Sequence, residues 1–174
     1  MELGDWRRAV FLDFEAVPDA SGRFFPVEIG VSVAGGATQS RFIRPRPEWL
    51  PGKPAWDGQA RNLSLAMDGV PADEIRDWAL RALAGRPVVS DAVFVDQALL
   101  DRLVDSPGHG LRFVEFFAEV EGLRREAGVS ASAFNSMIAD IDSDRGPAHT
   151  AGEDARVRAE LVWRLLGYAR TLGG

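Results

Sequence analysis

The sequence predicts a mixed α/β domain, and three observations predict it. Three strand-length runs, apolar or alternating, crowd the first quarter of the chain and are divided by turn residues. Beyond them, segments with helical apolar spacing alternate with the brief apolar run "PVVS" at 87–90. At 174 residues and 46% hydrophobic content the chain is long enough for one well-buried core. A meander followed by alternating helix and strand implies a mixed sheet, antiparallel first and parallel later, flanked by helices in a single domain spanning 1–174.

The elements follow in order. "AVFLDFE" (9–15), "PVEIGVSVA" (26–34) and "TQSRFIRP" (38–45) read as antiparallel strands, separated by "PDASGR" and "GG". The stretch 44–58, with four prolines, reads as a long irregular loop. "ADEIRDWALRALAG" (72–85) is helical and ends on glycine. A buried strand at 87–90 precedes the helical "VFVDQALLDRLV" (93–104). Residues 111–128 are ambiguous at their start and helical later, and a long final helix begins near Thr150. His109, between two glycines, reads as an ordinary loop residue.

Composition narrows the function classes. No cysteine is present, which rules out disulfides and thiolate metal sites and fits a cytoplasmic protein. The start "MELGDWRR" has no apolar signal core, and no run approaches the roughly 18 apolar residues of a membrane span, so no membrane partner is expected. A net charge of −6 argues against a general duplex-coating surface, because such affinity is built from clustered Lys and Arg. An enzyme acting on short strands needs only a local basic path. Of 20 basic residues only Lys53 is lysine.

The first strand poses the chemical question. Asp13 and Glu15 flank Phe14 and, by strand alternation, share a face roughly 6–7 Å apart. Two buried carboxylates that close require a raised pKa, a basic partner or a shared cation. A second acid, Asp96, falls in the apolar stripe of Leu99, Leu100 and Leu103 when 93–104 is placed on a helix at about 100° per residue. Ser90 and Asp91 are better placed than Asp96 to cap that helix. In "HTAGEDA" (149–155), Thr150 and Glu153 form a capping box, bringing His149 and Asp154 to the two positions that pack together at a helix start. Asp13, Glu15, Asp96 and Asp154 thus offer four hard oxygen ligands for Mg²⁺ or Mn²⁺, and His149 offers a base near neutral pKa.

The pattern resembles the DEDDh family of 3′-to-5′ exonucleases. "LDFEA" carries Asp13 and Glu15, "VVSDAVFVDQALLDRL" carries Asp96, and "HTAGEDA" carries His149 and Asp154 in the His-x4-Asp spacing. The resemblance implies a ribonuclease H-like fold, two divalent cations, and release of nucleoside 5′-monophosphates from single-stranded RNA or DNA or short oligonucleotides. It also implies roles: Asp13 and Asp154 around the ion that carries the water, Glu15 and Asp96 completing the cation environment, and His149 as general base. The middle motif departs from the family, with Ser90-Asp91 where many members have His-Asn, one extra residue before Asp96, and Val95 in the Phe position. "DGV" (68–70) has Asp where many members have His.

By the same resemblance Phe14, Ala16 and Met67 contact the terminal nucleotide, although core packing accounts equally well for Phe14 and Met67. Arg41, Arg44, Arg46 and Lys53 mixed with Phe42, Trp49 and Trp56 suit a single strand, or else a proline-stiffened loop anchored by buried tryptophans. The family's frequent pairing of chains admits a homodimer through the apolar 111–117 region. Two alternatives stay open: a non-catalytic nucleic-acid-binding or interaction module on the same fold, and a phosphoesterase of free nucleotides.

Overall fold

A computed structural model describes residues 1–19, 21–50, 60–107, 109–145 and 150–172. His149, Lys53 and Trp56 lie outside the described residues. Six strands form one sheet in the order β4-β3-β2-β1-β5-β6. The meander is β1 (Val10–Pro18), β2 (Phe24–Ser32) and β3 (Thr38–Arg44), paired antiparallel. The short strands β4 (Val70–Pro71), β5 (Val88–Ser90) and β6 (Phe113–Glu115) join in parallel, β4 on β3, β5 on β1 and β6 on β5. Seven α-helices, α1 (Leu3–Arg8), α2 (Ala60–Met67), α3 (Ala72–Leu83), α4 (Val93–Val104), α5 (Phe116–Glu126), α6 (Ala131–Ser143) and α7 (Ala151–Leu172), and one 3-10 turn at Pro47–Trp49 complete the described chain. The expected α/β class and the order antiparallel-then-parallel are therefore observed.

Strand alternation divides the core into two layers. Val10, Leu12 and Phe14 of β1 face one layer with Ile75 and Leu83 of α3 and Leu99, Leu100 and Leu103 of α4. Phe11 faces the other, with Phe116 and Leu123 of α5, Ile141 of α6 and Val162, Leu165 and Leu166 of α7. Asp13 and Glu15 share the parity of Phe11, so β1 directs both acids toward the α7 side.

Several elements escaped the sequence reading. The helices α1, α2 and α6 and the two-residue β4 were not expected; α1, α2 and β4 are short. The ambiguous stretch resolves into β6 followed directly by α5, whose first turn is capped by Glu115 accepting from the N–H groups of Phe117 and Ala118. Val114 and Phe116 are buried in the chain's own core, which leaves Phe117 as the widely exposed apolar residue of the 111–117 region.

The basic-aromatic stretch is largely structural where it is described. Trp49 is buried against Phe25, ring centroids 5.9 Å apart, with the guanidinium groups of Arg46 and Arg102 over its ring. Arg46 also pairs with Asp105 and Asp73 and donates to the Leu103 carbonyl at 2.9 Å, so it serves the α3–α4 packing. Arg41 stacks 4.9 Å over Trp78. His109 is no ordinary loop residue: its side chain is 4% exposed, its Nδ1 accepts from the Leu111 N–H, and its Nε2 lies 3.2 Å from Asp101.

A candidate divalent-metal centre

The centre forms where β5 stops short. Three residues long, β5 pairs with β1 only at Val10 and Phe11, so the continuing edge of β1 at Asp13–Glu15 has no strand beside it. Asp96, on the first turn of α4, lies against that edge, where the Phe14 backbone N–H helps to hold its carboxyl down against the upward push of burial. Ser90, the last residue of β5, donates its hydroxyl to Asp96 at 2.5 Å and accepts from the Ala92 N–H at 2.9 Å. Asp96 is 2% exposed, as its place in the apolar stripe predicts.

The other side of the centre is built by the start of α7. Thr150 accepts from the Glu153 N–H at 3.2 Å, half of the expected capping box. The reciprocal half is replaced, because the Glu153 carboxylate forms a bidentate pair with Arg156. Glu28, buried in the middle of β2, accepts from the Ala151 N–H at 3.4 Å and from the Ser40 hydroxyl, anchoring the first turn of α7 on the sheet. Contact is close enough that a Cβ on Gly30 would meet the Ala151 backbone at 2.1 Å and one on Gly152 the Ser40 Cβ at 2.7 Å. Two positions without a Cβ, on facing elements, let the helix start lie on the strands, which fixes Asp154 opposite Asp13 and Glu15.

Two triads of carboxylates result, each with one oxygen per residue within 4.8 Å of the others: Asp13, Glu15 and Asp154, and Asp13, Asp91 and Asp96. Asp13 belongs to both. All donors are carboxylate oxygens, the hard set that suits Mg²⁺ or Mn²⁺ rather than a thiophilic ion. All four acids read from the sequence therefore converge.

Asp91 does not cap α4, contrary to what its place beside the helix start suggests. The N-cap of α4 is Ala92 without a side-chain cap bond, while Asp91 turns to the centre and accepts from Arg158 Nη2 at 2.5 Å. Arg158 also donates from Nη1 to Asp13 at 3.0 Å, and Arg145, two residues past α6, pairs with Asp154. Neither arginine was singled out in the sequence. For Arg158 a signal existed: it lies four residues after Asp154 in a helix, hence on the same face.

Of the three answers open to paired buried acids, two apply at this site, a basic partner in Arg158 and a raised pKa. Burial pushes the Asp13 carboxyl up to about 7, against the pull of the Arg158 guanidinium and with a further push from Asp96. Burial raises Asp96 to about 6, against the Ser90 hydrogen bond and Arg158. Glu15 is also raised, by burial first and then by Glu28 across the β1–β2 pair. A group whose folded pKa exceeds its unfolded value contributes stability at low pH that is lost as pH rises through the folded pKa. The expected result is a protein in EDTA that melts lower at pH 8 than at pH 5, with the loss concentrated between about pH 4 and 7. Excess Mn²⁺ shrinks that loss, and calorimetric scans at matched ionic strength check both signs.

The three proposed nucleotide contacts are placed differently from one another. Phe14 is 8% exposed and packs in the core on the face opposite Asp13. Ala16 sits half-buried beside a register shift of β1, and Met67 is exposed at the end of α2. Against the acids opens a cavity of about 330 Å³, lined by Phe116, Phe117, Ile138 and Val157 and bounded by Asp154 and Arg158. Phe94, on the first turn of α4, is 91% exposed. Neither feature was read from the sequence, because exposure and cavity shape depend on neighbours distant in the chain.

No protein-family model matches the chain, and no curated protein matches it. Among the described residues no helix is long and apolar enough to cross a membrane.

Proposed function

We propose that the chain is a metal-dependent 3′-to-5′ exonuclease of ribonuclease H-like fold, removing nucleoside 5′-monophosphates from single-stranded RNA or DNA or short oligonucleotides. One observation carries the reading: two carboxylate triads share Asp13, with acids drawn from β1, the β5–α4 junction and α7. Divalent cations, when bound, would supply an activated water and charge neutralisation for phosphodiester hydrolysis. Asp13, Glu15 and Asp154 would hold one cation, and Asp13, Asp91 and Asp96 the other. Asp91 thereby joins the four acids that the motifs supply, and it fills a position at which the middle motif departs from the family.

His149, one residue before the α7 cap Thr150, takes the proton of the attacking water as general base. The apolar cavity beside Asp154 and the exposed rings of Phe94 and Phe117 give a strand apolar and aromatic surface on which to lie, of the kind that tolerates any base. A cytoplasmic location and a homodimer belong to the same proposal.

A second reading is favoured by one observation. Arg158 and Arg145 already neutralise Asp13, Asp91 and Asp154, as they would in a non-catalytic module whose acids have lost their ions. Labelled RNA and DNA ladders separate the two. The nuclease shortens 5′-labelled strands stepwise in Mn²⁺ and leaves them whole in EDTA; strands that are retarded but uncut in Mn²⁺ identify the binding module. Cleavage of mononucleotide esters with oligomers spared identifies the phosphoesterase. His149→Ala is expected to lower turnover far more than Mn²⁺ affinity, and an equal fall in both refutes the general-base role.

A further inference from the structure

We propose that the Arg158 guanidinium is the resident counter-cation of the acidic centre, and that a divalent ion must displace it from Asp13 and Asp91 in order to bind. The inference rests on the metal-dependent reading above and adds to it a residue outside the family motifs.

Geometry supports the contest. Arg158 is 11% exposed and donates to Asp13 at 3.0 Å and to Asp91 at 2.5 Å, one guanidinium nitrogen to each. Those two acids supply two of the three oxygens of one triad, and Asp13 supplies one of the other. An ion in either triad therefore needs a carboxylate that Arg158 already engages. A guanidinium and a divalent ion cannot both lie against Asp13 without strong repulsion, since like charges a few ångströms apart in a partly desolvated site are poorly screened.

The resting pair also has a physical purpose. Asp13, Asp91 and Asp96 crowd together, and Asp13 and Asp96 are largely buried, so removing the Arg158 guanidinium that pairs with Asp13 and Asp91 leaves poorly compensated charge, a strongly destabilising condition. Arg145, paired with Asp154, is no substitute because it engages the other triad. An exit exists that does not disturb the helix. Arg158 borders the 330 Å³ cavity next to Asp91 and Asp154, so its long side chain can pivot toward that space while the α7 backbone stays docked on Glu28 and Gly30.

The test uses Mn²⁺ alone as ligand, titrated calorimetrically into the full chain as wild type, Arg158→Met and Arg158→Lys, with melting curves in EDTA and in Mn²⁺. Arg158→Met keeps the stem and removes the charge. It is expected to bind Mn²⁺ at least tenfold more tightly than wild type, to melt lower in EDTA, and to recover the difference in Mn²⁺. Arg158→Lys, which keeps one charge but cannot bridge two carboxylates, is expected to fall between. Equal or weaker Mn²⁺ binding by Arg158→Met overturns the proposal while leaving the metal centre intact. Absence of Mn²⁺ uptake by wild type and both variants sinks the metal-dependent reading itself, and this proposal with it. Should Arg158→Met fold only with Mn²⁺ present, that dependence supports the displacement; should it fold in neither condition, the Arg158→Lys affinity decides, tighter for and equal or weaker against.

Discussion

Asp13→Asn is expected to abolish Mn²⁺ binding at both halves of the centre and cleavage with it, while the protein remains folded. Asp13 is the one acid common to the two triads, so its loss removes a ligand from each ion position at once. Groups that merely orient metal ligands typically account for 10–100-fold in affinity, and a shared ligand should exceed about 100-fold. The fold should survive because the substitution keeps shape and removes a carboxylate that burial disfavours: with its pKa near 7, Asp13 is a charged, partly desolvated group above neutrality. At pH 8 in EDTA the variant should melt no lower than wild type, with Arg158 still held by Asp91. Calorimetric titration and melting at pH 8 read the two effects separately. A variant that keeps wild-type Mn²⁺ affinity contradicts the shared-ligand role, whatever its stability.

Gly30→Ala is the second large effect, and it reaches the centre without touching an acid. The new Cβ would stand 2.1 Å from the carbonyl carbon and oxygen of Ala151 and 2.3 Å from the Gly152 nitrogen, atoms of a helix backbone that no rotamer change can move aside. The first turn of α7 must lift from β2, which stretches the Glu28 hydrogen bond to the Ala151 N–H and carries Asp154 away from Asp13 and Glu15. Overpacking of this kind costs about 1–3 kcal/mol. The expected outcome is a lowered melting temperature together with a loss of Mn²⁺ affinity like that of Asp154→Ala. A Gly30→Ala protein that melts lower yet binds Mn²⁺ as wild type does would show that the α7 start is not what positions Asp154.

Legibility of the fold followed local pattern strength. The meander strands and α4 announce themselves through alternation and helical spacing within a few residues, and the observed α4 covers the expected 93–104. β6 and α5 abut without a turn, so no punctuation marks their boundary, and β4 is two residues long. Trp49 shows the limit of composition: flanked by arginines and prolines it suits a stacking platform, yet it packs against Phe25 in the core. For the site, the acids were legible because a carboxylate in an apolar run is costly and so conspicuous. Asp91 was not, since beside the start of α4 an acid has an ordinary local use as a cap.

From sequence alone came the mixed sheet and the four acids Asp13, Glu15, Asp96 and Asp154, because periodicity and misplaced charge are properties of a residue and its near neighbours. Tertiary structure alone decided that Asp91 completes a second triad, that Gly30 and Gly152 seat α7 against the strands, and that Arg158 lies between Asp13 and Asp91. Those outcomes depend on distances between segments up to 145 residues apart in the chain, and Coulomb and packing energies vary with distance in space, which local spacing does not encode.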